Sequence, residues 1–371
     1  MFDLLCGKPS SFLGIDIGTM GIKVVQLGRE KNKLKLETYG LLETYDSFEL
    51  LNNSLRIKNS ASLNNRVSEL LSEVIQKSKV TAKRAAMSIP IFSTFSTLVE
   101  LPDMSDNEIR SAMPFEARKY IPIPLDEVIL GWSVVGRKDD QREGELNGRK
   151  LKKVQILLVA ISKEIAKRYT QIAKLAGLKV DVLETESFSL ARSLIRNGSG
   201  QSFDPVVIVD IGSRTTNIIV VGGDGLVMKN HSVDMSGDEI TRALSYGLGV
   251  DFERAESLKR NFGLGCQGIS GKKIYEIAIP LADVVVAEVE KMMRYYFSKR
   301  GKQVKKIILT GGSANLKGLD SYFNKKLGLT IERGNPWKGL SYPDSLSPIL
   351  REIAPSFSVA VGLAIAGFDR K

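Results

Sequence analysis

The sequence has very few of the residues that metal clusters and histidine chemistry require. Its 371 residues include two cysteines, Cys6 and Cys266, and one histidine, His231. The cysteines lie far apart and form no Cys-x-x-Cys pair, which excludes a cysteine-ligated zinc or iron–sulfur site. We expect free thiols in a reducing compartment, and we expect His231 at a surface hairpin instead of in a Ser-His-Asp triad.

Long apolar segments are also missing. The sequence contains no run of roughly 18 consecutive apolar residues, so we expect no membrane-spanning helix. The segment 1–7 is too short for the apolar region of a secretory signal. We expect no membrane-inserting tail either, because the sequence stops at Lys371 directly after a predicted helix. These absences favour a cytoplasmic protein.

The charge balance is positive but does not indicate nucleic-acid binding. There are 53 lysines and arginines against 42 aspartates and glutamates, a net charge of +11. Of the two densest basic stretches, 137–153 also carries acidic residues and glycines, and 291–306 contains the end of a predicted helix, where cations meet the helix dipole. Neither stretch interleaves aromatic and basic residues. Solvated surfaces are favoured, and attraction to anionic partners or an anionic membrane surface is the remaining alternative.

The length of 371 residues predicts two or three domains, and strand and helix patterns are both present along the chain. Strands are predicted at 13–27 (two strands and a tight turn), 34–42, 85–101, 128–135, 154–161, 206–209 and 306–309. Helices are predicted at 67–78, 105–120, 162–176, 236–248, 252–262, 280–299 and 354–368.

One internal repeat divides the chain. The segment Ile15-Asp16-Ile17-Gly18-Thr19 recurs as Val209-Asp210-Ile211-Gly212-Ser213, on the other side of a Gly- and Ser-rich linker at 197–202. Each copy is an apolar strand that ends in an aspartate, a glycine turn with a hydroxyl residue, and a second apolar strand. The repeat predicts two related halves, each with one hairpin, and a cleft between them.

The two turns have the residues that a polyphosphate and its metal ion require. Glycine-rich turns present backbone N–H groups and allow close approach of a ligand. Thr19, Ser213, Thr215 and Thr216 would add hydroxyl donors, and Lys23 would neutralise phosphate charge. Mg²⁺ prefers oxygen ligands and is often held by one or two carboxylates together with water. Asp16 and Asp210 are therefore the predicted metal residues, acting through water.

A third segment, 307–316, is a buried strand that opens into Thr310-Gly311-Gly312-Ser313. Its small residues would let a base or a ribose lie against the backbone. Each of the three segments alone is a common loop. Their combination in this order is much less common and favours a nucleotide site.

These three segments resemble the two phosphate motifs and the adenosine motif of the actin-like ATPase superfamily, which includes actin, heat-shock chaperones, sugar kinases and FtsA. Within the superfamily, residues 10–369 most closely resemble the PilM family of type IV pilus assembly proteins. The resemblance is carried by the segments 14–19, 22–27, 115–128, 184–192, 236–241 and 256–259. The most family-specific of these is 115–128, because nucleotide chemistry does not require it.

The resemblance implies an α/β protein with the actin-like ATPase fold, two related halves around a nucleotide cleft, each with an inserted subdomain. The expected division is a first core at 10–81, an FtsA-like insertion at 82–177, a return and linker at 178–203, a second core at 204–235, a helical insertion at 236–303, a return at 304–351 and a closing helix at 352–371 that packs on the first core.

The resemblance also implies roles for individual residues, with ATP and Mg²⁺ as cofactors. The nucleotide would contact Gly18, Thr19, Lys23, Gly212, Ser213, Thr215, Thr216, Gly237, Glu256, Lys259, Gly311, Gly312 and Ser313. Glu186 is the nearest candidate for a water-activating residue, with structural and metal-shell roles equally open. Arg214 stands where chaperones and FtsA have a further glycine, and its guanidinium would reach either a phosphate or solvent.

The implied function is an ATP-binding cytoplasmic scaffold of type IV pilus assembly, with slow ATPase activity if it has any. Its partner would be the cytoplasmic N-terminal tail of the inner-membrane protein PilN, which would hold the scaffold peripheral to the inner membrane. The tail would bind in a groove that includes Phe115, Tyr120 and Ile121. Self-association and pilus motor ATPases are further implied contacts, and an FtsA-like division filament or a small-molecule kinase are the alternatives.

Overall fold

Three β-sheets organise the residues that the computed structural model describes, which are 10–31, 33–43, 61–139, 152–195, 203–265 and 268–369. Both cysteines, the linker at 197–202 and most of the charged loop after 139 lie outside these residues. The strands are β1 (Ser11–Ile17), β2 (Gly21–Glu30), β3 (Lys33–Glu43), β4 (Arg84–Ile89), β5 (Thr94–Pro102), β6 (Val128–Asp139), β7 (Lys152–Ser162), β8 (Lys179–Thr185), β9 (Val206–Ile211), β10 (Thr216–Val221), β11 (Val227–Val233), β12 (Lys306–Thr310) and β13 (Thr330–Arg333).

The helices cover the faces of these sheets. They are α1 (Ala61–Lys77), α2 (Asp106–Ala117), α3 (Lys163–Leu175), α4 (Glu186–Leu194), α5 (Gly237–Leu248), α6 (Phe252–Phe262), α7 (Gly268–Arg300), α8 (Leu319–Leu327), α9 (Ser347–Ile353) and α10 (Ser358–Asp369). Side chains cap several of them where expected, since Ser162, Ser236 and Asp251 each accept a hydrogen bond from a backbone N–H in the first turn.

Two five-stranded sheets have the same strand order. The first is β3-β2-β1-β4-β8 and the second is β11-β10-β9-β12-β13. In each, an antiparallel hairpin carries one copy of the repeat, and a later strand pairs in parallel with the first hairpin strand. The predicted division into two related halves is therefore confirmed. The first hairpin strands β1 and β9 are buried along nearly all of their length, in keeping with their apolar sequences.

The closing helix α10 packs directly on the first sheet and on α4. Two glycines make this close approach possible. A Cβ added at Gly14 of β1 would lie 2.0 Å from the Ala360 carbonyl oxygen, and one added at Gly362 would lie 2.0 Å from that of Ser189. The helix backbone therefore lies against β1 on one side and against α4 on the other.

By length and composition, one helical segment in the described part of the chain is apolar enough to cross a membrane. It is Asp344–Asp369, which includes α10, and 72% of its most apolar window is buried inside the fold. The expectation from uninterrupted apolar runs missed this segment. Its packing on β1 and α4 accounts for its composition, as in the core helix of a soluble protein.

A three-stranded sheet, in the order β5-β7-β6, forms the insertion in the first half. The residues of β7 alternate between two faces. Ile156 and Leu158 pack in a cluster with α2, whereas Leu157 and Val159 belong to the large cluster that includes strands of the second half. The three-stranded sheet therefore packs against α2 on one face and against the second half on the other.

The expected range 82–177 for this insertion includes two elements that contribute to the first core. β4 pairs with β1 and β8 in the first sheet, and α3 adds Tyr169, Ile172 and Ala173 to the core cluster of that sheet. We accordingly propose that the inserted subdomain consists of β5, α2, β6 and β7.

The remaining differences concern helix starts, short strands and the helices α4, α8 and α9, which were not predicted. The helix predicted at 280–299 begins at Gly268, so Pro280 lies inside α7, where packing of Ala278 and Ala282 in the core outweighs the lost backbone hydrogen bond. The strands β8 and β13 are short, with seven and four residues, and were not predicted. His231 lies on β11, with its Nε2 3.5 Å from Glu288 Oε2 on α7.

Candidate functional site

A cleft of about 430 Å³ lies between the two halves, where the ends of β1, β9 and β12 approach one another. It is lined by nearly all of the predicted cofactor residues: Asp16, Gly18, Thr19, Lys23, Glu186, Asp210, Gly212, Ser213, Thr215, Gly237, Glu256, Lys259, Gly311, Gly312 and Ser313. Residues distant in the sequence are thus brought to one site by the shared topology of the halves.

The two hairpin turns have matching geometry. The Gly18 N–H donates to the Gly21 carbonyl at 3.0 Å, and the Gly212 N–H donates to the Thr215 carbonyl at 3.0 Å. The turns are therefore closed by the same backbone hydrogen bond. The positions across each hairpin also correspond, because Asp16 pairs with Lys23 and Asp210 pairs with Asn217.

The Asp16 carboxylate is buried and held by two partners from the first half. Its Oδ2 lies 3.6 Å from Lys23 Nζ, and its Oδ1 accepts a hydrogen bond of 3.1 Å from Ser88 Oγ on β4. Lys23 therefore lies beside the aspartate and lines the cleft, while its contact with phosphate stays a prediction.

In the second half an amide takes the place of the lysine. Asn217 Nδ2 lies 3.0 Å from Glu186 Oε2 and 3.4 Å from Asp210 Oδ2, while its Oδ1 accepts a 2.9 Å hydrogen bond from Ser232 Oγ. Sequence reasoning missed Asn217. The signal was available, because Asn217 follows Asp210 at the same spacing at which Lys23 follows Asp16.

The centre of the cleft holds an excess of buried negative charge. Burial, and then the nearby Asp16 carboxylate, raise the pKa of Asp210 to about 6. Burial and the charges of Asp16 and Asp210 raise the pKa of Glu186 well above its ordinary value. Lys23 is the cation that lowers the pKa of both Glu186 and Asp210, and its charge does not offset burial and carboxylate repulsion. The site is therefore suited to a bound cation. Among the described residues, no group of three or more possible ligands is arranged to hold a metal by itself.

This charge excess predicts that Glu186→Gln stabilises the ligand-free protein at neutral pH. Because the folded pKa of Glu186 is raised, ionisation opposes folding, and stability is lost as pH rises from the unfolded pKa through the folded one. We expect the variant to unfold at a higher temperature than the wild type at pH 8, with the difference disappearing towards pH 4. A difference independent of pH would contradict the electrostatic origin.

The glycine turn after β12 is shaped to leave space in the cleft. Gly311 has φ of 85°, and a Cβ there would lie 2.5 Å from Asp210 Oδ1. A Cβ at Gly312 would meet only Ser356 Oγ, at 3.9 Å. The first glycine is needed for the backbone to pass Asp210, and the second leaves an open surface on which a ligand fits.

A buried network joins the start of α5 to the second half of α6 at the cleft wall. Lys259 Nζ donates to the Gly237 carbonyl at 2.9 Å and to Thr241 Oγ1 at 2.7 Å, and lies 2.6 Å from Glu256 Oε2. Burial alone would raise the pKa of Glu256, but the Lys259 charge and the hydrogen bonds to the carboxylate lower it. Glu256 and Lys259 therefore form a fixed ion pair at the cleft wall.

Two predicted site residues have other positions. The Thr216 side chain is fully buried and donates to the Met235 carbonyl at 2.5 Å, away from the cleft, because neighbouring strand residues face opposite sides. Ile121, which was predicted to line a partner groove, is 7% exposed and packs in the core of the insertion. Phe115 and Tyr120 are 67% and 39% exposed, respectively.

Arg214 contacts a residue of the opposite half. Its Cζ lies 5.3 Å from the centre of the Phe92 ring, and both residues line the cleft. The guanidinium is half-buried. In this position the guanidinium stacks on a ring instead of pointing freely into solvent, and its contact with a phosphate stays a prediction.

Comparisons with known proteins agree with this architecture. A family model described as "Type IV pilus assembly protein PilM" matches residues 14–368. Among curated proteins, the cell division protein FtsA of Staphylococcus epidermidis is 24% identical over 91% of this chain and 77% of its own length. FtsA of Enterococcus hirae is 21% identical over 88% of this chain and 78% of its own length.

Solved structures share the fold. The structure described as a "PilM-PilN type IV pilus biogenesis complex" matches with a TM-score of 0.81 and 22% identity, over 98% of this chain and 100% of that chain. EutJ from Carboxydothermus hydrogenoformans (TM-score 0.53, 17% identity) covers 96% of this chain and 90% of its own. MreB 5 of Spiroplasma citri bound to AMPPNP (TM-score 0.51, 13% identity) covers 97% and 96%. The actin-like ATPase fold predicted from the three motifs is confirmed.

Proposed function

Since this chain belongs to the family of the type IV pilus assembly protein PilM, we propose that it is an ATP-binding scaffold of the pilus assembly machinery. The observation that supports ATP binding is the cleft, where two closed glycine turns and a third, open glycine turn meet. These are the groups that phosphates and a nucleoside require.

Residues from both halves would bind the nucleotide. Backbone N–H groups at Gly18 and Gly212, with the hydroxyls of Thr19 and Ser213, would donate to the phosphates. The open surface at Gly312, beside the Glu256–Lys259 pair, would receive the adenosine. Asp16 and Asp210 would hold Mg²⁺ through water, and the ion would neutralise both the carboxylates and the phosphates. Because both halves contribute, nucleotide binding would favour their closed arrangement.

The test is calorimetric titration of the purified full chain with ATP, with and without Mg²⁺. We expect one site per chain and a loss of affinity when EDTA removes the metal. No detectable binding of ATP or ADP would overturn the assignment of the cleft. Glu186 is our candidate for orienting a hydrolytic water, and a slow ATPase rate that falls in Glu186→Gln without loss of ATP affinity would support it.

We propose that the cytoplasmic tail of PilN is the partner, in line with the solved PilM–PilN complex. The insertion provides a suitable surface, because four of its large apolar side chains are more than one third exposed: Phe115, Tyr120, Ile123 and Ile129. Binding of this tail would keep the scaffold at the inner membrane, on the cytoplasmic side.

This surface gives a prediction that separates binding from folding. Tyr120→Ala should weaken binding of a PilN tail peptide about tenfold and leave the unfolding temperature nearly unchanged, because the side chain is 39% exposed. The neighbouring Ile121→Ala should instead destabilise the fold by about 2–4 kcal/mol, because it empties part of a core. Fluorescence anisotropy and thermal unfolding measure the two effects, and the opposite ranking would exclude this surface.

The FtsA relatives favour one second candidate, an actin-like filament protein. ATP-dependent sedimentation of polymers, with no binding of the PilN peptide, would support this candidate in place of the scaffold.

A further inference from the structure

The contact between Arg214 and Phe92 connects the two halves across the cleft. Arg214 belongs to the second phosphate turn, between Ser213 and Thr215. Phe92 belongs to a short 3-10 turn, Ile91–Ser93, in the first half. The guanidinium carbon lies 5.3 Å from the ring centre, within the range of a cation–π interaction.

Arg214 differs from the lysines of the cleft in the kind of group that it contacts. Lys23 lies against Asp16, and Lys259 is held by Glu256. Within the described residues no carboxylate forms an ion pair with Arg214, and the aromatic ring is its recorded partner. A guanidinium matches phosphate oxygens with two parallel hydrogen bonds, which are stronger than stacking on an exposed ring. A phosphate in this cleft would therefore compete with Phe92 for Arg214.

Phe92 stands where the chain leaves the first core and enters the insertion. Its turn follows β4 and leads directly into β5. The turn is braced internally, since Ser93 Oγ donates to the Pro90 carbonyl at 2.8 Å and Thr94 Oγ1 donates to the Ile91 carbonyl at 2.9 Å. Because the turn is held as a unit, a change at Phe92 would reach the first residue of β5.

The insertion is also attached to the second half. Ser96 on β5 donates to Asn230 on β11, and Arg300 at the end of α7 donates to the Val135 carbonyl on β6 at 2.8 Å. The turn at Phe92 therefore lies between a first core and an insertion that is hydrogen-bonded to the other half. It is the place at which movement of the halves would be taken up.

We propose that Arg214 is a nucleotide-sensing residue that exchanges the Phe92 ring for the terminal phosphate of a bound nucleoside triphosphate. The exchange releases Phe92 and the turn at the entrance of the insertion, and so couples the nucleotide state to the partner-binding surface. This inference rests on the proposed function, because it assigns a regulatory role within the same cleft.

The exchange has a thermodynamic signature, because the two residues act in opposite directions. Arg214 gains a partner in the triphosphate state, whereas Phe92 holds Arg214 in the nucleotide-free state. Removing the arginine should weaken triphosphate binding. Removing the ring should strengthen it, because the competing contact is lost. A contact that only supports the fold would weaken binding in both variants.

The experiment compares ATP and ADP affinities, by calorimetry with Mg²⁺, for the wild type, Arg214→Gln and Phe92→Leu. We expect Arg214→Gln to weaken ATP binding about tenfold and ADP binding less than about twofold. We expect Phe92→Leu to strengthen ATP binding about threefold. Arg118→Gln is the matched control, because Arg118 stacks on Phe115 at 5.7 Å outside the cleft and should not change either affinity.

The experiment distinguishes failure of the proposed function from failure of the exchange at Arg214. If the wild type binds neither nucleotide, the proposed function fails and this inference fails with it. If the wild type binds ATP but both variants weaken it, or Arg214→Gln weakens ATP and ADP equally, only the exchange is overturned. Thermal unfolding of each variant identifies loss of fold, and Arg214→Lys, which keeps the charge but not the planar fork, should give an intermediate ATP affinity if the exchange is correct.

Discussion

Asp210→Asn should make the nucleotide-free protein more stable and remove most of its affinity for MgATP. Burial and Asp16 raise the pKa of Asp210 to about 6, above the ordinary carboxyl value, so the ionised form opposes folding at neutral pH. Asparagine removes this charge and can still accept the hydrogen bond of Asn217. We expect about 1–2 kcal/mol of added stability at pH 7.5, absent at pH 4, where the wild-type carboxyl is protonated.

The same substitution removes one of the two carboxylates proposed to hold Mg²⁺. A charged contact of this kind contributes about 1.5–3 kcal/mol, so MgATP affinity should fall about 10- to 100-fold. Asp126→Asn serves as control, because Asp126 is exposed on the insertion and does not line the cleft. Calorimetry and thermal unfolding measure the two effects. An unchanged MgATP affinity would show that the metal is held elsewhere.

Gly14→Val should unfold the first half. Its Cβ would lie 2.0 Å from the Ala360 carbonyl oxygen and 2.5 Å from the Ala364 nitrogen, both backbone atoms of α10 that cannot rotate away. The helix would have to separate from β1, which we expect to cost about 4 kcal/mol or more of unfolding free energy. Pro355 and Val359, which line the cleft beside this contact, would move with it.

Gly131→Ala provides the matched control for this prediction. Gly131 is also a strand glycine, on β6, but no atom lies within 4 Å of a Cβ added there. Alanine at this position should leave the unfolding midpoint unchanged or raise it slightly. Denaturant unfolding followed by circular dichroism compares the variants. If Gly14→Val unfolds at the wild-type midpoint, α10 does not pack on β1 as described.

Local pattern was sufficient for the elements that carry the site. The hairpins β1–β2 and β9–β10 were predicted from apolar strands and turn glycines, and the helix Phe252–Phe262 was predicted with the observed bounds. The strand β8 was not predicted, because its pairing with β4 depends on a strand distant in sequence. The start of α7 was missed because Pro280 is a local helix-breaking signal that packing overrides.

The sequence was sufficient to nominate residues of the site, but it did not indicate which side chains contact one another. Asp16, Lys23 and Asp210 were identified because they stand at fixed places in a repeated hairpin. The link from Asn217 to Glu186, and the stacking of Arg214 on Phe92, join segments whose proximity depends on the arrangement of the two halves. Ile121 and Thr216 were predicted as site residues, but their side chains are buried. A sequence motif does not specify the side of the backbone on which each side chain lies.

Composition and local spacing therefore determine that this chain has two Asp-Ile-Gly hairpins, an open glycine turn and no cysteine cluster. They do so because turn geometry and strand periodicity depend on neighbouring residues alone. Tertiary structure decides that the carboxylates of Asp16, Glu186 and Asp210 share one cleft, and that the insertion is hydrogen-bonded to the opposite half. Electrostatic coupling and packing act through space between residues far apart in the chain, and only the folded arrangement sets those distances.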